Sequence, residues 1–381
     1  MGAVQRSMTV VGAVLLLVGL AAFAAGALSA DDLRALGART APVLAFVAAI
    51  SVVAELADRA GVFAMLVHRA ERLGRGRVWV LWLVFAALAV VATIFLSLDT
   101  TAVLLTPVVV LAARRLGLDP LPFAFTTVWL ANTGSLLLPV SNLTNLLAHQ
   151  RLGGPTPWEF AELTWRPALV AILVPMAVIA VVFARTLRQR YRPAVPAETT
   201  DRTRRRWSCV VLVVLLPALV SGVAPWIPAT IAALALALIA LVRGDRRSVR
   251  PSLVPWPLLL FAGGLFVAME ALVRAIPTDR LDGLATSWTI GAAMSGAVGA
   301  NLVNNLPAYL ALEPIATDHT SLVALLVGVN AGPLITPWAS LATLLWHQRL
   351  EAAGVRIPWG RFVLLGAVTC ALTVPLAAWT V

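Results

Sequence analysis

Apolar runs of about 20 residues recur along the chain, each long enough for a helix to cross the roughly 30 Å hydrocarbon core of a bilayer. They predict spans at about 8–28, 41–66, 167–185, 207–224, 226–242, 256–274 and 361–381. The fold class is therefore an all-α polytopic membrane protein. It has about nine full transmembrane helices once two interrupted helices, described below, are included. The first run follows Arg6 and ends at Ala27-Leu28-Ser29-Ala30, which imitates a secretory signal peptide. Its length and the spans that follow favour an uncleaved first helix.

Two further apolar segments are interrupted by polar residues. Asp99-Thr100-Thr101 breaks residues 78–113, and Asn304-Asn305 with Pro307 breaks residues 285–315. Arginine density orients them, because cytoplasmic loops are rich in basic residues. Arg69, Arg72, Arg75 and Arg77 mark one cytoplasmic loop, and Arg243, Arg246, Arg247 and Arg250 another. Arg349, Arg356 and Arg361 mark a further one, and residues 191–206 form a basic cytoplasmic linker. The loops at 29–40, 152–165 and 275–285 fall outside, which leaves the N-terminus cytoplasmic and the C-terminus outside the inner (cell) membrane. With Arg77 at one end and Arg114-Arg115 at the other, residues 78–113 enter and leave from the cytoplasm as a re-entrant hairpin. Residues 285–315 are the counterpart entering from outside. Irregular backbone at membrane depth survives only when buried in protein or lining a cavity, so each tip is a candidate site.

The chain also repeats itself. The stretch from Pro139 through Ser141, Asn142, Asn145 and His149 to Leu152 aligns without gaps on Pro337 through Ser340, Thr343 and His347 to Leu350. Asn132-Thr133-Gly134 matches Asn330-Ala331-Gly332 in the same register, at an offset of 198 residues. The loop charges place the two copies in opposite orientations, the plan of inverted-repeat transporters that hold substrate near the midplane with discontinuous helices. The expected halves are residues 1–190, with a broken helix over 119–150, and 207–381, with a broken helix over 319–348. Pro139, Pro333 and Pro337 remove helical hydrogen bonds at the breaks. The first half has one span before the 41–66 helix, whereas two precede its counterpart at 256–274.

Composition narrows the function. Of 381 residues, 60% are hydrophobic and 12% charged, with mean hydropathy +0.90, which excludes a water-soluble enzyme. The net charge of +11 comes entirely from arginine, and these arginines sit in loops, so no nucleic-acid partner is expected. Cys209 and Cys370 lie far apart, with no metal-ligand spacing, and neither metal nor cofactor is expected. An intramembrane hydrolase needs a second membrane-depth Asp, a Ser/His pair or a His-Glu-x-x-His motif, and the chain has none, so it is not read as an enzyme. A passive channel leaves the repeat unexplained.

Leu98-Asp99-Thr100-Thr101 through Thr106-Pro107 resembles the first hairpin signature of the arsenite/antimonite efflux permeases of the ion transporter superfamily. Ser141-Asn142-Leu-Thr-Asn145 is similar to their Ser-Asn-Leu-x-Asn stretch. Asn304-Asn305-Leu-Pro307 resembles their second tip, and Gly332-Pro333 through Thr336-Pro337, Ser340 and Thr343 to Trp346 is the most specific match. The resemblance covers about residues 40–381 and extends loosely to citrate-transporter-like permeases and divalent-anion symporters. The chain departs from the pattern at Leu98, where Asn is usual, and at Ala339, where Gly is usual. The resemblance implies a secondary transporter exporting arsenite or antimonite in exchange for protons. The alternatives are a sodium- or proton-coupled organic-anion permease and a sodium/proton antiporter. Docking of a soluble ATPase on the cytoplasmic loops and a homodimer are left open.

The solute and its coupling ion are expected at Asp99, Thr100, Thr101, Asn132, Asn142, Asn145, Asn304, Asn305, Asn330, Thr336, Ser340 and Thr343. Asp99 is the acid placed deepest, and an intramembrane carboxylate reads as functional by default. Glu55 and Glu270, each four residues before an arginine, are further proton-carrier candidates, with a helix-end ion pair as the plainer reading. One carboxylate among Asn, Thr and Ser groups, with no arginine at that depth, suits a neutral polyhydroxyl solute or a cation better than a carboxylate anion.

Overall fold

A computed structural model gives the fold and describes residues 3–192, 201–275 and 289–381. The chain begins with α1 (Ala3–Ala24) and α2 (Ala30–Arg59). The second helix starts well before the expected position 41, because Ser29 and Asp32 form a reciprocal capping box. The Asp32 N–H donates to Ser29 Oγ (3.1 Å), and the Ser29 N–H donates to the Asp32 carboxylate (2.8 Å). Hydropathy misses these first turns because Asp31, Asp32, Arg34 and Arg39 make them polar. Gly61, at φ 77°, ends the run before position 66, and the amphipathic α3 (Val62–Leu73) follows.

Next come α4 (Val78–Leu96), a helical turn (Leu98–Thr100), a π-helical turn (Thr101–Leu105) and α5 (Thr106–Arg115). The first broken helix is α6 (Leu121–Thr133), two 3₁₀ turns and α7 (Leu143–Arg151). Thr156 and Glu159 form a second capping box that starts α8 (Pro157–Val182), again earlier than the expected 167. The second half contains α9 (Arg202–Leu219), α10 (Trp226–Val242), α11 (Trp256–Ala275), α12 (Thr289–Val303) and α13 (Asn305–Leu312). It ends with the second broken helix, α14 (His319–Ala331) and α15 (Leu341–Ala352), and with α16 (Trp359–Ala378). Residues 193–200 of the linker, 276–285 of the expected outer loop and 285–288 of the expected second hairpin lie outside the described residues. Among the described residues there is no strand, only an isolated bridge between Arg77 and Arg190.

Five of these helices are long and apolar enough to cross a membrane: α1 from Arg6, α2, α4, α8 and α16. The apolar α10, α11, α12 and α14 are shorter. Leu17, Val181, Val213, Leu234 and Leu302 stand exposed on the outside, as a lipid-facing surface requires. Packing between the halves is reciprocal. The helix before α2, α1, packs along α11, and the helix before α11, α10, packs along α2. Without water between helices, close approach depends on small residues. A Cβ on Gly328 of α14 would lie 2.1 Å from the Ala293 carbonyl oxygen of α12, so only glycine fits that crossing.

Both ends of the 78–115 segment meet α3. The Tyr191 hydroxyl donates to the Glu71 carbonyl (2.5 Å), and the Val78 N–H donates to the Gln189 carbonyl (3.2 Å). Both α4 and α5 pack on α3. At the same basic face, Asp201 caps α9 and pairs with Arg243 at 2.8 Å, while Arg204 pairs with Asp245. The Ser248 hydroxyl and then the Arg204 guanidinium hold the Asp245 carboxyl below its usual range. Arg243, and then the Arg204 backbone N–H, lower Asp201 in the same way.

Candidate functional site

Each of the two interrupted segments breaks at a non-glycine residue with unusual backbone. Ser97 has φ 93° and ψ 158°, and Asn304 has φ 127° and ψ 155°. L-residues rarely adopt this region, at a cost of about 1–3 kcal/mol each, so the surroundings must hold them there. Polar side chains do so. Thr93 Oγ1 donates to Thr101 Oγ1 (3.0 Å), and Thr101 Oγ1 donates to the Ser97 carbonyl (3.2 Å). Ser97 Oγ reaches Thr100 Oγ1 at 3.2 Å. At the second tip, Asn304 Oδ1 accepts from the Leu306 N–H (3.3 Å), and Asn304 Nδ2 donates to the Trp338 carbonyl (2.9 Å). The Asn305 N–H donates to the Ala339 carbonyl (2.9 Å).

Both interrupted segments are hydrogen-bonded to the broken helix that follows them in the sequence. Ser141 Oγ donates to the Ile94 carbonyl at 2.9 Å. Asn301 Oδ1 accepts from the Ile335 and Thr336 N–H groups, both at 3.1 Å, and Thr336 Oγ1 donates to the Asn301 carbonyl at 2.8 Å. Asn301 thereby satisfies the amides that the helix break at Pro333 and Pro337 frees.

The two broken helices meet at buried asparagines. Asn330 Nδ2 donates to Asn145 Oδ1 (2.7 Å), and Asn330 Oδ1 accepts from Asn142 Nδ2 and from Thr144 Oγ1 (3.1 Å). Asn145 Nδ2 in turn donates to the Ser135, Leu136 and Leu138 carbonyls freed by the first break. The reciprocal pair is looser, with Asn132 Nδ2 at 3.5 Å from Thr343 Oγ1. The 198-residue offset carries Asn132 onto Asn330 and Asn145 onto Thr343, so the two cross-contacts are made by equivalent positions with the halves exchanged. Asn142 and Ser340, also equivalent, are the N-caps of α7 and α15.

Asp99 lies at the side of this crossing. Together with Thr100 it lines a cavity of about 310 Å³ that also touches Ser51, Glu55, Leu345, Gln348 and Arg349. Asp99 Oδ1 is buried without a hydrogen-bond partner. So are Asn132 Oδ1, Thr133 Oγ1 and Thr106 Oγ1, on α6 and α5, which pack on each other and on the π-helical turn after Asp99. The Asp99 and Asn132 oxygens can only accept, suiting a solute that brings donors or a cation, while the two threonine hydroxyls and the equally unpartnered Trp129 Nε1 of α6 can donate. Glu55 accepts from Arg59 Nε and Nη2 at 3.0 and 2.9 Å and still faces the cavity. Glu270 accepts from Arg274 at 2.9 Å and lines a second, smaller cavity with Arg39, Arg151 and Glu313.

Apart from Thr101, which bonds at the first break, and Glu270, which lines the smaller cavity, the expected residues fall into three groups. Asp99, Thr100 and Glu55 share the larger cavity. Asn132, Asn142, Asn145, Asn330, Ser340 and Thr343 form the buried crossing. Asn304, Asn305 and Thr336 belong to the second hairpin and its break, and the larger cavity does not touch them. Arg349 reaches the Asp99 cavity, whereas the sequence reading left no arginine there. That reading also missed Ser97, Asn301 and Thr144. Asn301 carried a usable signal, an asparagine inside an apolar helix just before a break.

Two helices interrupted at the centre, two further interrupted segments hydrogen-bonded to those breaks and a cavity lined by a largely buried carboxylate suit a membrane transporter. Residues 3–343 match the citrate transporter family model, and the chain belongs to that family. It is 29% identical over 362 residues to the arsenical pump membrane protein of Escherichia coli strain K12, covering 87% of this chain and 83% of that one. An uncharacterized transporter of Mycobacterium tuberculosis is 25% identical over 363 residues, covering 88% and 84%. The crystal structure of the Alcanivorax borkumensis YdaH transporter superposes with a TM-score of 0.58 at 16% identity, covering 100% of this chain and 97% of that one, a likeness of fold.

Proposed function

We propose that the chain exports arsenite or antimonite from the cytoplasm in exchange for protons, and that Asp99 is the exchange point. The observation that carries this reading is that Asp99 lines the larger cavity while its Oδ1 is buried without a hydrogen-bond partner from the protein. Arsenite at neutral pH is an uncharged trihydroxide, so its O–H groups complement such atoms. The Oδ1 atom accepts either a solute hydroxyl hydrogen or a proton, and the two are mutually exclusive. That competition couples outward movement of solute to inward movement of protons. The relatives named as arsenical pumps support the cargo.

The same reading takes residues 1–190 and 207–381 as inverted repeats, with the N-terminus cytoplasmic and the C-terminus outside. The reciprocal Asn132–Thr343 and Asn330–Asn145 contacts support that relation. The larger cavity reaches Arg349, in the last turn of α15 on the side read as cytoplasmic, and on this reading the arrangement is inward-open. One observation favours a second cargo: Arg349 lines the same cavity as Asp99 and supplies a cation there, which suits an organic anion carried with sodium or protons.

Uptake of radiolabelled arsenite into inverted vesicles, with and without an imposed proton gradient, separates the two. Gradient-driven arsenite uptake lost in Asp99→Asn supports export. Sodium-dependent citrate or succinate transport without arsenite movement overturns the cargo.

A further inference from the structure

The two cavities occupy equivalent places in the two halves. The larger is lined by Ala54 and Glu55 of α2, Val103 beyond the first tip, and Arg349. The smaller, about 150 Å³, is lined by Met269 and Glu270 of α11, Leu310 beyond the second tip, and Arg151. Arg151 corresponds to Arg349 at the repeat offset, and Glu270 corresponds to Glu55 in the repeated Glu-x-x-x-Arg. Val103 and Leu310 stand equally far past Ser97 and Asn304.

The cavities differ in what crosses them. Glu313, at the end of the second hairpin, is ion-paired with Arg39 of α2, and its side chain is 8% exposed. Tyr309 Oη donates to the same carboxylate oxygen at 3.1 Å. The end of the first broken helix joins in, with Gln150 Nε2 donating to the Arg39 carbonyl at 2.9 Å. By the same sequence offsets, the position equivalent to Glu313 is Thr106 and the position equivalent to Arg39 is Val254. No such pair can form there.

From this asymmetry we infer that the smaller cavity is the outer mouth of the transport path, and that Arg39–Glu313–Tyr309 is the bolt that holds it shut while the cytoplasmic mouth is open. The inference rests on the transporter reading but not on the identity of the cargo. A shielded ion pair between a hairpin and a helix of the other half fixes one arrangement, because breaking it strands a buried charge. In the outward-open arrangement the second hairpin must leave α2, and the pair must separate. The bolt therefore biases the resting equilibrium toward the cytoplasm-open state.

The test uses two reporters in a background with Cys209→Ser and Cys370→Ser. Met269→Cys reports the outer cavity in intact cells, and Leu345→Cys reports the inner one in inverted vesicles. Both are labelled with a membrane-impermeant maleimide. Glu313→Gln is expected to speed labelling at position 269 about tenfold, equivalent to ~1.4 kcal/mol, and to slow it at position 345. The exchange of charges, Arg39→Glu with Glu313→Arg, is expected to restore both rates to within about twofold. Unchanged rates in Glu313→Gln, or equal increases at both reporters, overturn the bolt. If Glu313→Gln does not reach the membrane, Tyr309→Phe carries the same reciprocal shift to a lesser degree, and its absence overturns the inference equally. Reciprocal labelling shifts without arsenite transport keep the bolt and discard the cargo. Arsenite transport without those shifts does the reverse.

Discussion

Asn330→Ala is expected to be among the most damaging single changes that leave the hydrophobic surface untouched. The residue uses both ends of its amide: Nδ2 donates to Asn145, and Oδ1 accepts from Asn142 and Thr144, all buried. Truncation leaves three polar groups without partners in a region water does not reach. In membranes a single interhelical hydrogen bond averages only about 0.6 kcal/mol, with a maximum near 1.7. An orphaned buried group costs about 1–3 kcal/mol. Three contacts at the modest end therefore sum to about 2–4 kcal/mol. Asn132→Ala, at the equivalent position, loses one cross-half contact at 3.5 Å, outside good hydrogen-bond geometry, and is expected to cost less than about 1 kcal/mol. Equilibrium unfolding in mixed detergent–SDS micelles, followed by tryptophan fluorescence, measures both. The cycle of Asn145→Ala with Asn330→Ala is expected to show coupling above about 0.5 kcal/mol. If the two single variants lie within about 0.5 kcal/mol of each other, the reasoning is refuted, because the asymmetry of the crossing then has no energetic counterpart.

Gly328→Val is expected to separate α12 from α14, because even a Cβ there would overlap the Ala293 carbonyl. Overpacking of this kind costs about 1–3 kcal/mol or more, read as a lower melting temperature of the detergent-solubilised protein, and Gly263→Ala, in open space, is the control. Asp245 and Asp201 have lowered carboxyl pKa values, so their contribution is present above the ordinary range near 4 and is lost as pH falls through their folded values. Asp245→Asn is accordingly expected to flatten the fall in stability below about pH 4 relative to the parent, and an unchanged slope counts against the clasp. Cysteines at Gly76 and Gly117, flanking α4 and α5, are expected to react with impermeant reagent only from the cytoplasmic side; labelling from opposite faces means that α4 crosses the membrane rather than turning back.

What the sequence disclosed and what it hid divide along a physical line. Apolar runs, arginine loops and the repeated Pro, Asn and His positions are local or periodic, so the helical class, the family and the breaks near Asn132 and Asn330 were legible. Helix starts at Ser29 and Thr156 were not, because capping boxes fix the backbone in polar sequence where hydropathy sees only loop. The grouping of the site residues was not legible for a different reason. Polarity marks a residue as needing partners without saying whether those partners are solute or protein. Asn145, for instance, directs Nδ2 to three carbonyls that Pro139 and the 3₁₀ turns release, and Oδ1 to Asn330, so its polarity is consumed in holding the break open. Asp99 Oδ1 has no such protein partner. The distinction between a scaffold polar group and a transport group is thus an accounting of hydrogen bonds across chain segments that lie far apart in sequence. It predicts that Asn145→Ala acts mainly on stability, whereas Asp99→Asn, which keeps size and removes charge, acts on the coupling of transport while the protein still inserts and folds. Transport normalised to the amount of folded protein separates the two. A fully folded Asn145→Ala protein with lost transport, alongside an Asp99→Asn protein with normal gradient-driven rates, would reverse their assignments.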